Sequence, residues 1–195
     1  KVIQAVIKSG STIISEIEFA SQFTSATLIG ITGTNGKTTT TLLTYEILKK
    51  AGLNVGIAGN IGKSFALQVA QSDFDYYVLE ISSFQLDNIQ DFAPHITLIT
   101  NITPDHLDRY NYSLNKYKDA KLRITKNQTA RDFFLFNADD SILKEAIQNQ
   151  QIVAKKIPFG FNNITEGTTH KNDQIIIKQQ NKNTMIQSAQ FSSSG

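Results

Sequence analysis

The chain has 195 residues, 40% of them hydrophobic and 18% charged, which is enough to bury the core of one domain, or of one domain with an appendage. Its formal net charge of +2 is too small to indicate a nucleic-acid or membrane surface as the main partner. The absence of cysteine excludes a disulfide scaffold, a thiolate metal site and a cysteine nucleophile, and it fits a cytoplasmic protein. No apolar run approaches the roughly 20 residues of a membrane span, and the first residues lack the apolar segment of a signal peptide.

The N-terminal residues resemble the end of another unit rather than the start of this one. The first residue is Lys1 instead of Met, so we expect the chain to be a piece of a longer protein. Residues 1–10 have the pattern of a helix closed by glycine, and residues 16–23 are predicted to form a connector. These residues are too few for a domain and suit a link from an N-terminal unit.

Strands alternate with helices from residue 28 onward. The first unit is a strand at 28–32 and a helix at 38–50, with Leu42, Leu43, Ile47 and Leu48 expected to face inward. Four more units of this kind follow, with strands near 53–58, 76–79, 96–100 and 133–136 and helices near 63–71, 113–126 and 139–149. This alternation predicts an α/β fold with a mostly parallel sheet and helices on both faces.

The pattern changes after residue 152. Residues 175–178 and 184–186 are apolar runs separated by polar residues, which predicts a small antiparallel β appendage near the C-terminus. Residues 152–159 are expected nearby. The serine-rich tail at 192–195 predicts no structure of its own.

A glycine-punctuated turn links the first strand to the first helix. The glycines allow backbone N–H groups to converge on an anion, and the helix N-terminus adds partial positive charge. Lys37 would reach the phosphates of a nucleotide, and the Thr38 hydroxyl would coordinate Mg²⁺. The alternative is an ordinary turn, since the two glycines stand closer together than in the usual phosphate loop. The order of strand, loop, Lys-Thr and helix favours nucleotide binding through this cradle, which comprises Gly33, Thr34, Asn35, Gly36, Lys37, Thr38 and Thr39.

Polar residues follow the other predicted strands, at the edge where parallel sheets bind ligands. Glu80 ends an apolar strand, so we favour a partly buried Mg²⁺ ligand over a solvated carboxylate. Asn60 is a weak signal because Gly-Asn is a common turn pair. His106 is either a loop histidine or a metal or phosphate ligand, and the residues alone leave both open. The loop that carries it also contains Asn101, Asp105 and Asp108.

Lys121 lies inside the apolar stripe of the helix predicted at 113–126. That stripe is formed by Leu114, Tyr117 and Ile124. Either the lysine extends along the edge of the stripe towards water, or it points into the cleft with a desolvated amine. The helical pattern does not decide between the two.

These motifs together resemble the Mur ligase family of ATP-dependent peptidoglycan ligases. The resemblance covers residues 28–159 and rests on the cradle, on Gly59-Asn60-Ile61-Gly62, on Glu80-Ile81-Ser82-Ser83-Phe84-Gln85-Leu86 and on residues 101–110. It implies a P-loop-type central domain. The second, third and fourth of these motifs are most similar to the family member that adds D-glutamate.

The resemblance also implies roles for the candidate residues. Lys37 would contact ATP, and Thr38 with Glu80 would hold a first Mg²⁺. His106 would bind a second Mg²⁺, and Lys121 would be carbamylated, which turns its amine into a carboxylate-like anion. Lys37, Glu80, His106 and Lys121 are thus the expected catalytic residues, and Asn60 and Ser82 the expected substrate residues.

The resemblance further implies which domains and substrates the parent protein has. Residues 1–24 would be the remnant of an N-terminal UDP-binding domain, and residues 25–195 a truncated central ATP-binding domain that lacks its C-terminal ligase domain. The substrates would be UDP-MurNAc-L-alanine and D-glutamate, the enzyme a cytoplasmic monomer, and the isolated chain inactive. The alternatives are another ligase of the family, similar to folylpolyglutamate synthetase, and a non-catalytic nucleotide-binding module.

Overall fold

The computed structural model describes residues 5–6, 8–105, 107–162, 164–179 and 182–187. Within these ranges nine strands form one sheet in the order β2-β3-β1-β4-β5-β6-β7-β8-β9. The strands are β1 Thr27–Thr32, β2 Val55–Gly59, β3 Tyr76–Glu80, β4 Ile96–Ile99, β5 Phe133–Asn137, β6 Lys155–Gly160, β7 Gly167–Lys171, β8 Gln174–Gln179 and β9 Lys182–Gln187. Pairing is parallel from β2 to β7, and antiparallel between β7, β8 and β9.

Helices cover both faces of the parallel part of the sheet. They are α1 Glu16–Ser21, α2 Lys37–Lys50, α3 Phe65–Gln71, α4 Ser83–Asp87, α5 Leu114–Leu122 and α6 Ser141–Gln148, with short 3₁₀ turns at Leu107–Tyr110 and Arg123–Thr125. Side chains of α2 pack on one face of the sheet, and those of the other helices on the opposite face. No helix in the described part of the chain is long and apolar enough to cross a membrane.

The predicted α/β fold is confirmed, and the bounds of its first five strands lie within two residues of those expected. The antiparallel hairpin expected near the C-terminus is also confirmed, as β8 and β9. However, residues 152–159 do not belong to the hairpin. They contain β6, which pairs in parallel with β5 and extends the main sheet. The hairpin is attached through β7, so the antiparallel strands continue the same sheet.

The expected inner face of α2 is wrong for three of its four residues. Leu42, Leu43 and Ile47 are 47%, 48% and 51% exposed. The phase of the helix is set at its first turn, where Thr38 faces β3. Residues at helical spacing from Thr38 therefore face the sheet, and these are Thr41, Tyr45 and Leu48.

The stretch 16–23, expected to be a connector, contains helix α1. Ile17 and Ala20 are buried in the core. The Glu18 carboxylate, fully buried, accepts hydrogen bonds from the backbone N–H groups of residues 90, 91 and 92 at 2.9–3.0 Å. This part of the proposed linker is therefore packed against the sheet domain.

The remaining N- and C-terminal expectations fall partly on residues that are not described. Ala5, Val6 and Lys8 are helical, and Gly10 has the positive φ of 76° that suits a glycine after a helix. Residues 1–4 and 7 of the expected helix, and the tail at 188–195, lie outside the described ranges.

Candidate nucleotide and metal site

The cradle consists of a turn at residues 33–36, between the end of β1 and the start of α2, and of the first residues of α2. Gly33 has a φ of 146°, and a Cβ there would lie 1.9 Å from Thr100 Oγ1. Gly36 is the left-handed N-cap of α2, with a φ of 79°. Only glycine suits both positions, because one needs close approach and the other an unusual backbone angle. The first N–H groups of α2 have no partner within the helix, so the cradle presents donors to an anion.

The loop after β4 holds the cradle in place. Asn101 accepts the Thr34 N–H through its carbonyl at 2.9 Å and the Asn35 N–H through its side-chain oxygen at 3.0 Å. The Thr103 N–H donates to Thr34 Oγ1 at 3.0 Å. Thr34 is itself buried. The amides of Thr34 and Asn35 thus bind the protein, which leaves those that follow for a ligand.

The pairing of β1 with β4 explains why the cradle and the loop after β4 meet. Thr32 of β1 pairs with Ile99 of β4, so the residues after each strand leave the sheet side by side. Asn101 lies at the edge expected from its place after a predicted strand, but no role was expected for it or for Thr103. Apart from the family resemblance over residues 101–110, the sequence signal for either residue is its position after a predicted strand.

Glu80 lies beside the first turn of α2 and is 2% exposed. Thr38 Oγ1 donates to its Oε2 at 2.7 Å, and Asn60 Nδ2 donates to its Oε1 at 2.9 Å. Gly59 allows this approach, since a Cβ there would lie 2.2 Å from the Glu80 carbonyl oxygen. The end of β3 and the residue that follows β2 are thus joined to the start of α2 through one carboxylate.

Two lysines reach the cradle from different elements. Lys37 Nζ donates to the Thr34 carbonyl at 2.8 Å, and Lys121 Nζ donates to the Gly33 carbonyl at 2.7 Å. Lys121 is 2% exposed, so of the two orientations left open by the sequence, it takes the inward one. Its amine also lies 4.5 Å from the centre of the Tyr117 ring.

The buried position of Lys121 changes its proton affinity. Burial, and then the positive charge of Lys37, lower the pKa of Lys121 to about 7, with Asp105 opposing the shift. A substantial fraction of this amine is therefore neutral at neutral pH, unlike that of an exposed lysine.

The remaining candidate residues are Ser82, Thr39 and His106. Ser82 is the N-cap of α4 and forms a capping box with Gln85, whose side-chain oxygen accepts the Ser82 N–H at 3.0 Å. Thr39 is an exposed residue on the first turn of α2. His106 lies outside the described residues. Of the four expected catalytic residues, Lys37, Glu80 and Lys121 surround the cradle.

Oxygen donors of this site suit a hard cation. The hydroxyl of Thr38 and the carboxylate of Glu80 are ligands of the kind that Mg²⁺ takes in proteins. Among the described residues, no group of three or more His, Cys, Asp or Glu side chains could hold a metal. That is compatible with Mg²⁺ bound to a nucleotide, because most of its ligands are then phosphate and water oxygens.

Curated relatives match most of this chain. One from Bacteroides fragilis is 58% identical over 152 residues, which is 78% of this chain and 34% of the relative. One from Christiangramia forsetii is 47% identical over 171 residues, which is 87% of this chain and 38% of the relative. Both are named UDP-N-acetylmuramoylalanine--D-glutamate ligase. The chain thus spans little more than a third of the length of these relatives.

Solved structures share the fold at low sequence identity. UDP-N-acetylmuramate:L-alanyl-gamma-D-glutamyl-meso-diaminopimelate ligase from Neisseria meningitides aligns with a TM-score of 0.65 and 18% identity, over 95% of this chain and 63% of that one. MurF ligase from Thermotoga maritima in complex with ADP aligns with a TM-score of 0.61 and 21% identity, over 83% of this chain and 40% of that one.

A family model also matches this chain. The model described as the Mur ligase middle domain matches residues 31–194, which is most of the chain. The match includes the cradle, Glu80 and Lys121. The chain therefore belongs to the Mur ligase family, whose middle domain it matches.

Proposed function

We propose that this chain is the central ATP-binding part of a ligase that adds D-glutamate to UDP-MurNAc-L-alanine. The observation that carries the proposal is that the Glu80 carboxylate accepts hydrogen bonds from both Thr38 and Asn60 at the mouth of the phosphate cradle. The substrates are proposed from the names of relatives that are 58% and 47% identical to this chain. The parent enzyme is proposed to be a cytoplasmic monomer without nucleic-acid or membrane partners.

ATP is the proposed ligand of residues 33–39. The N–H groups at the start of α2 would bind phosphate oxygens. The Lys37 amine, which contacts the Thr34 carbonyl at 2.8 Å, needs only to turn outward to reach the terminal phosphates. An ADP complex of MurF, a structure with the same fold, supports this ligand.

Thr38 and Glu80 are the proposed protein ligands of a first Mg²⁺, in place of their mutual hydrogen bond. His106 is proposed for a second Mg²⁺. Metal ions at these positions would supply positive charge that offsets repulsion between a triphosphate and a carboxylate substrate.

Lys121 is proposed to be carbamylated. Carbamylation requires a neutral amine, and the pKa of about 7 makes that form accessible. The unmodified amine of Lys121 donates to the Gly33 carbonyl, whereas a carbamate would present oxygen atoms beside the cradle. Lys37, whose positive charge lowers the pKa of Lys121, would then stabilise the added negative charge.

The proposed reaction forms an amide from a carboxylate, which is a poor electrophile. The carboxylate of UDP-MurNAc-L-alanine attacks the γ-phosphorus of ATP, so that an acyl phosphate forms and ADP leaves. The amine of D-glutamate then attacks the acyl carbon, the tetrahedral intermediate expels phosphate, and the amine loses a proton. The protein contributes mainly positioning and charge neutralisation, the latter from Lys37. Asn60 and Ser82 are proposed to contact the UDP-sugar substrate.

The two alternative functions are a different ligase and a non-catalytic nucleotide-binding module. A folylpolyglutamate synthetase-like ligase has the same fold, since FolC of E. coli aligns with a TM-score of 0.60, but at 15% identity this similarity concerns the fold alone. A non-catalytic nucleotide-binding module would need the cradle but not Glu80 in contact with Thr38.

Phosphate release from the intact parent enzyme tests the proposal. We expect release from ATP that requires both UDP-MurNAc-L-alanine and D-glutamate. Turnover with a folate and glutamate instead would favour the synthetase, and nucleotide binding without release under any of these conditions would favour the module.

A further inference from the structure

A single carboxylate links helix α6 to the loop that holds the cradle. Asp140 is the N-cap of α6, and its Oδ1 accepts the Leu143 N–H at 2.9 Å. Its Oδ2 accepts the Ile102 N–H at 2.6 Å. One side chain thus satisfies two backbone groups that lie far apart in sequence, each through a charge-assisted hydrogen bond.

Ile102 occupies the centre of the loop that contacts the cradle. Its side chain is fully buried. The residues on either side of it, Asn101 and Thr103, bind Thr34 and Asn35. Asn101 Nδ2 also donates to the Asn35 carbonyl at 2.9 Å, and Asn35 Nδ2 donates to Thr103 Oγ1 at 3.3 Å. A shift of Ile102 would therefore move both neighbours, and the cradle with them.

We propose that Asp140 is a positioning residue of the nucleotide site. Its carboxylate anchors Ile102, and residues 101–103 in turn fix Thr34 and Asn35, so that the donors that follow face the phosphates. Asp140 acts through these residues and does not itself contact the ligand. The inference rests on the proposed function only in that the ligand of the cradle is a nucleotide.

The alternative is that Asp140 only caps α6, and one substitution separates the two roles. In Asp140→Asn the shape is kept, and asparagine is as good an N-cap as aspartate. With its side-chain oxygen on the Leu143 N–H, its NH₂ group faces the Ile102 N–H, so two donors oppose each other. The cap is retained and the anchor is lost.

A matched control lies at the other end of β5. Asp132 Oδ2 accepts the Thr129 N–H at 2.6 Å, the same distance as in the Asp140 contact, and its Oδ1 lies 2.7 Å from His95 Nδ1. Asp132 precedes β5, whereas Asp140 follows it, so Asp132 is remote from the cradle edge. Asp132→Asn removes a comparable backbone anchor without touching the loop at 101–103.

The experiment measures ADP binding by calorimetry and KM for ATP in the full-length parent enzyme, with Tm as a measure of stability. We expect Asp140→Asn to raise the Kd for ADP and the KM for ATP about tenfold, the effect of losing one charge-assisted hydrogen bond. Asp132→Asn is expected to lower Tm to a similar extent and to leave both constants unchanged.

Other outcomes distinguish the inference from the function on which it rests. An unchanged Kd in Asp140→Asn, or an equal loss in Asp132→Asn, would overturn the inference alone. Should Asp140→Asn not fold, Asp140→Ser takes its place, since a serine caps the helix but is too short to reach Ile102 as well. If the wild-type enzyme does not bind ADP, the proposed function fails and the inference fails with it.

Discussion

The hydroxyl of Thr38 donates to the carboxylate of Glu80 at 2.7 Å, across the gap between the first turn of α2 and the end of β3. Glu80 is almost completely buried, and its other oxygen accepts a hydrogen bond from Asn60. Two neutral donors hold this buried carboxylate in place, and a cation bound beside it would offset the cost of burying a charge, which makes this the position of choice for one.

Glu80→Ala is expected to lower kcat about 100-fold or more, because the substitution removes the carboxylate that is proposed to hold Mg²⁺ at the cradle. Phosphate release by the full-length enzyme measures the effect. Glu46→Ala, on the exposed part of α2, is the control and is expected to behave as wild type. Near-normal turnover in Glu80→Ala would contradict the metal role.

Lys37→Ala is expected to abolish turnover, because no other side chain on the first turn of α2 carries a positive charge to the phosphates. A loss of at least about 100-fold in kcat is expected, with weaker binding of ATP. Lys50→Ala, at the exposed end of the same helix, should leave both quantities unchanged. A Lys37→Ala enzyme that still releases phosphate at the wild-type rate would exclude this role.

Lys121→Ala is expected to lose activity and to regain part of it when short carboxylates such as acetate or formate are added. The small anion would occupy the space of the side chain and replace the charge of the proposed carbamate. Lys116→Ala, on the exposed side of the same helix, is the control and needs no rescue. The carbamate assignment would be weakened if no carboxylate restores any phosphate release.

Glu18→Gln is expected to destabilise the protein in a pH-dependent manner. Burial by itself would raise the pKa of Glu18, but hydrogen bonds from the N–H groups of residues 90, 91 and 92 outweigh it and lower the pKa below the usual 4.5. A lowered pKa in the folded state contributes stability above pH 4.5, and this contribution is lost as the pH falls through the folded-state pKa.

At pH 7 the expected cost of Glu18→Gln is about 2–3 kcal/mol, since the amide cannot serve all three N–H groups and lacks the charge. The difference in Tm from wild type should shrink as the pH falls below 4.5 and passes through the lowered folded-state pKa of Glu18. A Tm difference that stays constant between pH 7 and pH 3 would show that the charge of Glu18 is not responsible.

Much of the fold could be read from local patterns. The apolar strands and the glycines of the cradle both concern neighbours in sequence. Strand β7 and the short helix α4 were missed. Strand β7 contains no apolar side chain and α4 is little more than one helical turn, so neither shows a hydrophobic period.

Errors occurred where orientation depends on a distant partner. The inner face of α2 could not be deduced from its leucines, because Glu80 on another strand sets the rotation of the helix. Similarly, residues 152–159 contain β6, which pairs in parallel with β5. No residue close to β6 in the sequence indicates whether it pairs with β5 or with the hairpin.

The sequence by itself determined the order of strands and helices, the phosphate cradle and the family to which the chain belongs, because each depends on residues a few positions apart. Only the tertiary structure decided that Lys121 points inward and that Asp140 anchors the loop beneath the cradle. Asp140 reaches that loop because β5 pairs with β4, with Phe136 opposite Ile99, so the residues that follow the two strands leave the sheet at one edge. Lys121 points inward because the face of α5 that carries Tyr117 and Ala120 packs into the core. Both contacts join residues far apart in the sequence, so no local pattern shows them.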